Sequence, residues 1–305
     1  MKVSEALCKP SDEVKQLLEG LYECSPWVAD KFVKERTAQS QGKGDDGAAT
    51  APITTVTGLA KALKSIVDDS TQDEKMLLIR SHPDLCEKVS EMANLSEESQ
   101  DEQSRAGLQS LTVQEFADFE RNNAAYKRKF EFPFILAVRN ATKYTVLSAM
   151  AGRLENSAQQ EFAIAMQQVH KIAWMRILAK FESDQPAGFL TCHVLDTANG
   201  CPARNMRIQL HRLSPPESAG LVGEFVTNSD GRLDGGPALK GSDFQVGSYE
   251  WTFYAADYFA SRGTFTSGTP FLDVIPIRFG IDNPDDHYHV PLLVSPWNFS
   301  TYRGS

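Results

Sequence analysis

The spacing of apolar residues changes near residue 185, and this change constrains the fold more than any other property of the chain. Before it the period is helical. Asp12–Val33 carries Val14, Leu17, Leu18, Leu21 and Tyr22, an i, i+3, i+4, i+7 pattern. Thr112–Phe130 carries Val113, Phe116, Phe119 and Tyr126, and Gln159–Phe181 has an apolar face broad enough for a helix deep in a core. Ser11 before Asp12 reads as an N-cap, and Thr112 with Glu115 reads as a capping box. Beyond the polar Glu-Ser-Asp-Gln-Pro-Ala-Gly stretch the apolar runs shorten to strand length: 189–195, 206–210, 221–227, 249–255, 271–279 and 289–294. Asn-Gly, Ser-Asp-Gly, Gly-Gly-Pro and Asn-Pro turns separate them. The expectation is two domains: an all-α helical bundle over 1–181, a linker over 182–187, and an all-β sandwich over 188–305. Thr37–Thr50, rich in Gly, Ala, Ser and Asp, reads as a surface loop inside the helical half.

Composition removes several classes of function. Lys and Arg number 31 against 40 Asp and Glu, a net charge of −9, which argues against a nucleic-acid binder dependent on phosphate contacts. No apolar run reaches the ~18 residues needed to span a bilayer, and the N-terminal residues lack the apolar stretch of a signal peptide. The five cysteines are widely spaced without a CxxC pair, so they are expected to be free thiols in a reducing compartment.

Three of the six histidines, His193, His287 and His289, lie in two strand-like segments of the second half. Strand alternation puts Thr191, His193 and Leu195 on one face, and His287, His289 and Pro291 on one side. A neutral imidazole in a polar pocket can move a proton at cellular pH, although a strand histidine is more often a hydrogen-bonded structural residue. His287 and His289 could form half of a zinc site, but the sequence supplies no obvious remaining ligands, so no metal is expected. Arg232 ends a turn-like Thr-Asn-Ser-Asp-Gly-Arg and is by default a solvated charge.

The motifs go further than the periodicity. His193-Val-Leu-Asp-Thr-Ala-Asn-Gly-Cys-Pro-Ala203, the 227–232 turn, Tyr288-His-Val-Pro-Leu-Leu-Val-Ser-Pro296 and Tyr302-Arg-Gly-Ser305 resemble the transthyretin-like 5-hydroxyisourate hydrolases. The resemblance spans 188–305 and implies a transthyretin-type sandwich and a homotetramer formed through this domain. It implies His193, Arg232, His289 and Ser305 as catalytic residues, with Tyr302, Arg303 and Gly304 binding substrate. A histidine pair can deprotonate water and return a proton to the leaving nitrogen. An arginine can hold the anionic ring and the developing oxyanion.

The helical half carries a second ordered set. Ser81-His82-Pro83-Asp84-Leu85 presents His82 at a bend, because Pro83 disfavours the α conformation there. By itself His82 could equally be a helix-terminal residue bonding the last carbonyls. Ser99, Glu102 and Gln103 share a helix face. With Ala106-Gly-Leu108, Phe132-Pro-Phe-Ile-Leu-Ala-Val-Arg139 and Ile172-Ala-x-x-Arg176, they resemble the decarboxylases of 2-oxo-4-hydroxy-4-carboxy-5-ureidoimidazoline (OHCU). That resemblance implies His82 and Glu102 as catalytic residues. Ser99, Gln103, Arg176 and the Phe134, Ile135, Leu136 and Ala137 segment would bind substrate. Asn140 stands where the family usually has glycine.

Together the two likenesses imply a bifunctional, cofactor-independent enzyme of urate breakdown that hydrolyses 5-hydroxyisourate and decarboxylates the product stereoselectively to (S)-allantoin. The alternative is a transthyretin-type ligand carrier or interaction module with one silent domain. The retained histidines and Arg232 argue against it. The expected location is the cytoplasm, with the peroxisome as the alternative, since Arg-Gly-Ser is not a Ser-Lys-Leu address.

Overall fold

A computed structural model describes residues 1–41, 51–85, 111–138, 141–264 and 268–304. The chain divides into two compact units, Met1–Glu182 and Ser183–Ser305.

The first unit is helical: α1 (Val3–Leu7), α2 (Ser11–Leu18), α3 (Pro26–Gln41), α4 (Val56–Asp68), α5 (Gln72–Arg80), α6 (Val113–Phe130), α7 (Lys143–Arg153) and α8 (Ala158–Lys180). Side-chain caps fix where many of these begin. Thr71 with Glu74, Thr112 with Glu115 and Ser157 with Gln160 form capping boxes at α5, α6 and α8. Thr55 and Thr142 accept single cap bonds at α4 and α7. Each such cap contributes on the order of 1 kcal/mol. Helix α8 packs on α4, α5 and α6. Its Ala165, Val169, Ala173 and Ile177 are buried in a core that includes Leu59, Leu63, Phe119 and Tyr126. The two ends of this unit meet where Val3 N–H donates to the Glu182 carbonyl (3.0 Å) and Glu182 N–H to the Met1 carbonyl (2.9 Å).

Three expectations change here. The 12–33 stretch is two helices, because left-handed Gly20 (φ 81°) and Cys24 (φ 52°) turn the chain between α2 and α3. Leu21 and Tyr22 keep the apolar spacing across that break because both still point into the core. Ser11 is the first helical residue; Pro10 occupies the cap position, with no side-chain hydrogen bond. Helix α3 continues to Gln41, so 37–41 are helical, while the rest of the expected loop lies outside the described residues.

The second unit is built from short strands: β1 (Phe189–Thr191), β2 (Val194–Asp196), β3 (Cys201–Pro202), β4 (Arg207–Arg212), β5 (Gly220–Val226), β6 (Leu239–Lys240), β7 (Gly247–Tyr254), β8 (Val274–Ile281), β9 (His287–His289), β10 (Leu292–Val294) and β11 (Phe299–Thr301). They pair as β6-β1-β9, β11-β10-β2-β3 and β5-β4-β7-β8. Alternation packs Ile208, Leu210, Tyr249, Trp251, Phe253, Ile275 and Ile277 against Leu190, Val194, Leu292 and Val294 in one core. The runs 189–195 and 289–294 each break into two strands, with His193 in the first break. The strand expected from 271 begins at Val274. Helix α9 (Ala255–Ser261), which buries Ala255, Tyr258 and Phe259, was not expected.

Candidate active sites

In the second unit, parallel pairing of β1 with β9 sets Thr191 beside His289 and Phe189 beside His287. Thr191, His193 and Leu195 are half-buried while residues 190, 192, 194 and 196 are buried, as alternation requires. Pro291 departs from its expected side and is buried. The chain continues as a ladder, with Val290 N–H donating to Thr191 (3.0 Å) and Leu292 N–H to His193 (2.8 Å). The His193 and His289 rings therefore come together, with centroids 6.5 Å apart.

The 228–232 turn brings Arg232 to them. Asn228 Oδ1 accepts from the N–H groups of Asp230 (2.9 Å) and Arg232 (3.0 Å), which closes the turn. Gly231 sits at φ 73°, and a Cβ there would lie 2.2 Å from the Val194 carbonyl. This approach lets Val194 N–H donate to Gly231 at 2.8 Å, and an antiparallel bridge pairs His193 with Arg232. Asp196 accepts from the N–H groups of Ala198 and Asn199 and from Tyr258 Oη, so the motif aspartate holds the following turn.

The C-terminal segment closes the site from another side. His289 and Gly304 exchange backbone hydrogen bonds of 3.2 and 2.8 Å. A Cβ on Gly304 would fall 2.9 Å from His289 Cδ2. Tyr302 is exposed. Arg303 lies over the Tyr288 ring (4.3 Å) and pairs with Asp286 at 3.4 Å. Ser305 lies outside the described residues.

Both site histidines titrate below the ordinary imidazole value. For His193 burial is the main cause and the Arg232 charge adds to it, while a hydrogen bond to the Asp230 backbone and the Asp230 charge oppose it. For His289 burial again leads, followed by Arg232, His193 and His287. Both rings are thus neutral at pH 7, the state a base needs. The neighbouring Cys192 thiol is buried and pushed up to about 12, which leaves it protonated and unreactive. Thr191 Oγ1 is 2.9 Å from both His287 Nε2 and His289 Nδ1, so a hydroxyl bridges the two histidines.

In the first unit, His82 follows the C-cap of α5 and is 7 % exposed. Its Nδ1 lies 3.2 Å from the Leu78 carbonyl, the helix-terminal contact weighed from the sequence. Two residues on, buried Asp84 is gripped by α6: both carboxylate oxygens accept from Asn123 Nδ2 (3.0 Å) and one from Lys127 Nζ (2.6 Å). The irregular 132–138 segment buries Phe134, Ile135 and Ala137, with Leu136 half-buried. The Ile135 carbonyl accepts from Arg153 Nη1 (2.7 Å), and Ala137 N–H donates to Gln168 Oε1 (3.0 Å). The Val138 carbonyl accepts from Ala141 N–H (2.9 Å), so these three backbone groups are already engaged.

Arg153 is held in turn by Glu161, which is fully buried and also accepts from Tyr126 and Asn156. Arg176 donates to the Gly20 carbonyl (2.6 Å) and to Glu23 (2.7 Å), which ties α8 to the turn between α2 and α3. Ser99, Glu102 and Gln103 lie outside the described residues. Asp84, Asn123, Lys127, Arg153 and Glu161 lie outside the residues that the sequence singles out for a site. Their only signal was polarity beside or within apolar segments, and their partners are distant in the chain.

Comparison with known proteins decides the family. The OHCU decarboxylase family pattern matches residues 9–178, and the HIUase/transthyretin family pattern matches residues 190–304. The chain belongs to both families. It is therefore a bifunctional enzyme, with a decarboxylase-family unit followed by a hydrolase-family unit. The 5-hydroxyisourate hydrolase of Pseudomonas aeruginosa is 50 % identical over 121 residues, covering 40 % of this chain and 94 % of that protein. The 2-oxo-4-hydroxy-4-carboxy-5-ureidoimidazoline decarboxylase of Haloferax volcanii is 34 % identical over 164 residues, covering 54 % of this chain and 86 % of that protein. A solved (S)-allantoin synthase structure is 56 % identical, covers the whole of both chains and superposes with a TM-score of 0.84. Among the described residues no group of three or more His, Cys, Asp or Glu could hold a metal ion, and no helix is long and apolar enough to cross a membrane.

Proposed function

We propose that the two units catalyse consecutive steps of urate degradation. The second hydrolyses 5-hydroxyisourate to OHCU, and the first decarboxylates OHCU to (S)-allantoin. The observation that carries this reading is the pairing of His193 and His289, with ring centroids 6.5 Å apart, beside Arg232. One imidazole takes a proton from water as its oxygen adds to the ring amide carbonyl. The Arg232 guanidinium stabilises the oxyanion, and the imidazolium returns the proton to the ureido nitrogen as the C–N bond breaks. The product carries the new carboxylate.

In the first unit that carboxylate is lost as carbon dioxide. The electrons of the broken C–C bond enter the ring, and a proton is delivered to the ring carbon from one face. His82 is the acid–base group nearest the hydroxyl and carboxylate, and Glu102 is its partner in proton delivery. Ser99, Gln103, Arg176 and the 134–137 segment hold the ureido and ring groups. Tethering the two units raises the local concentration of the intermediate at the second site.

A homotetramer through the transthyretin-like unit completes this reading. Leu221, Val222 and Val226 of β5 and Trp297, Phe299 and Tyr302 near the C-terminus are exposed on the single chain, as an assembly surface requires. Light scattering on the purified protein measures the assembly directly.

The decisive assay adds freshly prepared 5-hydroxyisourate and follows ultraviolet absorbance and circular dichroism. Wild-type protein accelerates both decay of the substrate and appearance of (S)-allantoin. His193→Ala stops only the first step and His82→Ala only the second. Loss of both steps in either folded variant would refute this division of labour.

A further inference from the structure

The Thr191 hydroxyl has one proton and faces two imidazole nitrogens, His289 Nδ1 and His287 Nε2, each at 2.9 Å. Two arrangements direct the hydroxyl proton to one of the two nitrogens. In one, His289 Nδ1–H donates to Thr191 Oγ, and the hydroxyl donates to His287 Nε2. In the other, both bonds run in the opposite direction, which leaves the proton of neutral His289 on Nε2. Only the first survives when His289 gains a proton, because an imidazolium donates from both nitrogens. The second would require the hydroxyl to turn at the moment of proton transfer.

The neighbouring groups restrain each member of this chain. His287 is fixed by stacking on Phe189, with centroids 4.1 Å apart and planes 22° apart. His289 is pinned on its other side by Gly304. We propose that Thr191 and His287 are positioning residues for His289. The hydroxyl accepts the Nδ1 proton and relays its own to His287, so that Nε2 of His289 faces the reaction as the free base. This proposal rests on the hydrolase reading given above.

The arrangement has the logic of a base oriented by a third group, with a neutral chain where a Ser-His-Asp site places a carboxylate. The difference has a physical consequence. A carboxylate on Nδ1 would favour the imidazolium, whereas the charged and titratable groups that face His289 are Arg232, His193 and His287, and all three oppose it. A neutral relay orients the ring without raising its proton affinity.

The test compares Thr191→Val, which keeps the shape and removes the hydroxyl, with Thr191→Ser, which keeps the hydroxyl. Hydroxyisourate hydrolysis is measured through the histidine titration range, and decarboxylation of OHCU by the same chains is the folding control. Thr191→Val is expected to lower kcat by roughly 10- to 100-fold, within the ceiling for acid–base catalysis, with little change in KM. Thr191→Ser should stay within about threefold of wild type. Long-range proton–nitrogen NMR of the substrate-free protein should show His289 protonated at Nδ1, with a tautomer mixture in Thr191→Val.

Wild-type kcat in Thr191→Val, equal damage in both variants, or a wild-type His289 protonated at Nε2 would each overturn the proposal. Absence of hydrolysis by wild-type protein would instead overturn the hydrolase reading, and the tautomer measurement needs no turnover.

Discussion

Replacing Glu161 with alanine should be the most damaging single change in the helical unit. The side chain is fully buried and gathers charged and neutral donors: Arg153 Nε (2.8 Å) and Nη2, Tyr126 Oη, and Asn156 Nδ2 (2.7 Å). Removing it strands the Arg153 guanidinium, whose side chain is only 10 % exposed and has little access to water. Breaking one side of a buried pair costs about 3–5 kcal/mol, chiefly through the charge left behind. In a unit of this size each kcal/mol lowers Tm by roughly 2–4 °C, so the expected loss is about 6–20 °C. Glu161→Gln should fall between alanine and wild type, since it keeps an acceptor for Arg153 and Tyr126 but removes the charge.

Urea titration separates the two units if each is followed by its own activity, decarboxylation for one and hydrolysis for the other. The decarboxylase midpoint should fall sharply while the hydrolase midpoint stays in place. Decarboxylation should also weaken below the transition, because a displaced Arg153 releases the Ile135 carbonyl that fixes the 132–138 segment. A loss below about 1 kcal/mol would show that water or rearrangement satisfies Arg153, and the buried-network argument would fail.

Three further expectations test other parts of the sites. Asp84→Asn places an amide against Lys127 Nζ and loosens the turn that carries His82. Because Lys127 is 44 % exposed and can regain water, the cost should be smaller than for Glu161, about 1–3 kcal/mol, with kcat for decarboxylation reduced and hydrolysis intact. Gly231→Ala combines a left-handed penalty of about 1–2 kcal/mol with a collision at the Val194 carbonyl, so Arg232 should leave His193 and hydrolysis should collapse while decarboxylation persists; normal hydrolysis would show that the close approach is dispensable. Arg232→Gln removes a charge that lowers the proton affinity of both His193 and His289, so the acid limb of the hydrolase pH profile should move to higher pH, whereas Arg232→Lys should hold it. An unmoved limb in the glutamine variant would mean that other groups set the titration.

Properties that repeat locally were legible in the sequence. The 159–181 period corresponds to α8 at 158–180, its start fixed by the Ser157 capping box. Alternation through 190–196 placed Thr191 and His193 together because a strand has only two faces. Features made by distant segments were hidden. Glu161 looks like an acid in a helix's first turn, where the dipole alone explains it, yet its partners come from residues 126, 153 and 156. The break between α2 and α3 was masked because Leu18, Leu21 and Tyr22 reach the same core from either side of it. Helix α9 follows β7 directly, so its first residue, Ala255, reads as the end of the strand.

The electrostatics of the hydrolase site turn on an arginine that forms no salt bridge among the described residues. Arg153, Arg176, Arg207, Arg278 and Arg303 each pair with an acidic side chain within 4.0 Å, so their fields are largely neutralised. Arg232 forms no salt bridge among the described residues, and it stands at the turn that adjoins His193. A chain of net charge −9 repels an anionic purine derivative at long range, but screening confines that repulsion to about 8–10 Å in physiological salt. Inside that distance the Arg232 guanidinium is the positive charge that acts on both His193 and His289. The same charge adds to burial in lowering the proton affinity of both histidines, so in the proposed hydrolysis one residue would attract the anion, stabilise the oxyanion and help preserve the base. In the proposed hydrolysis a carboxylate paired with Arg232 would weaken all three effects together.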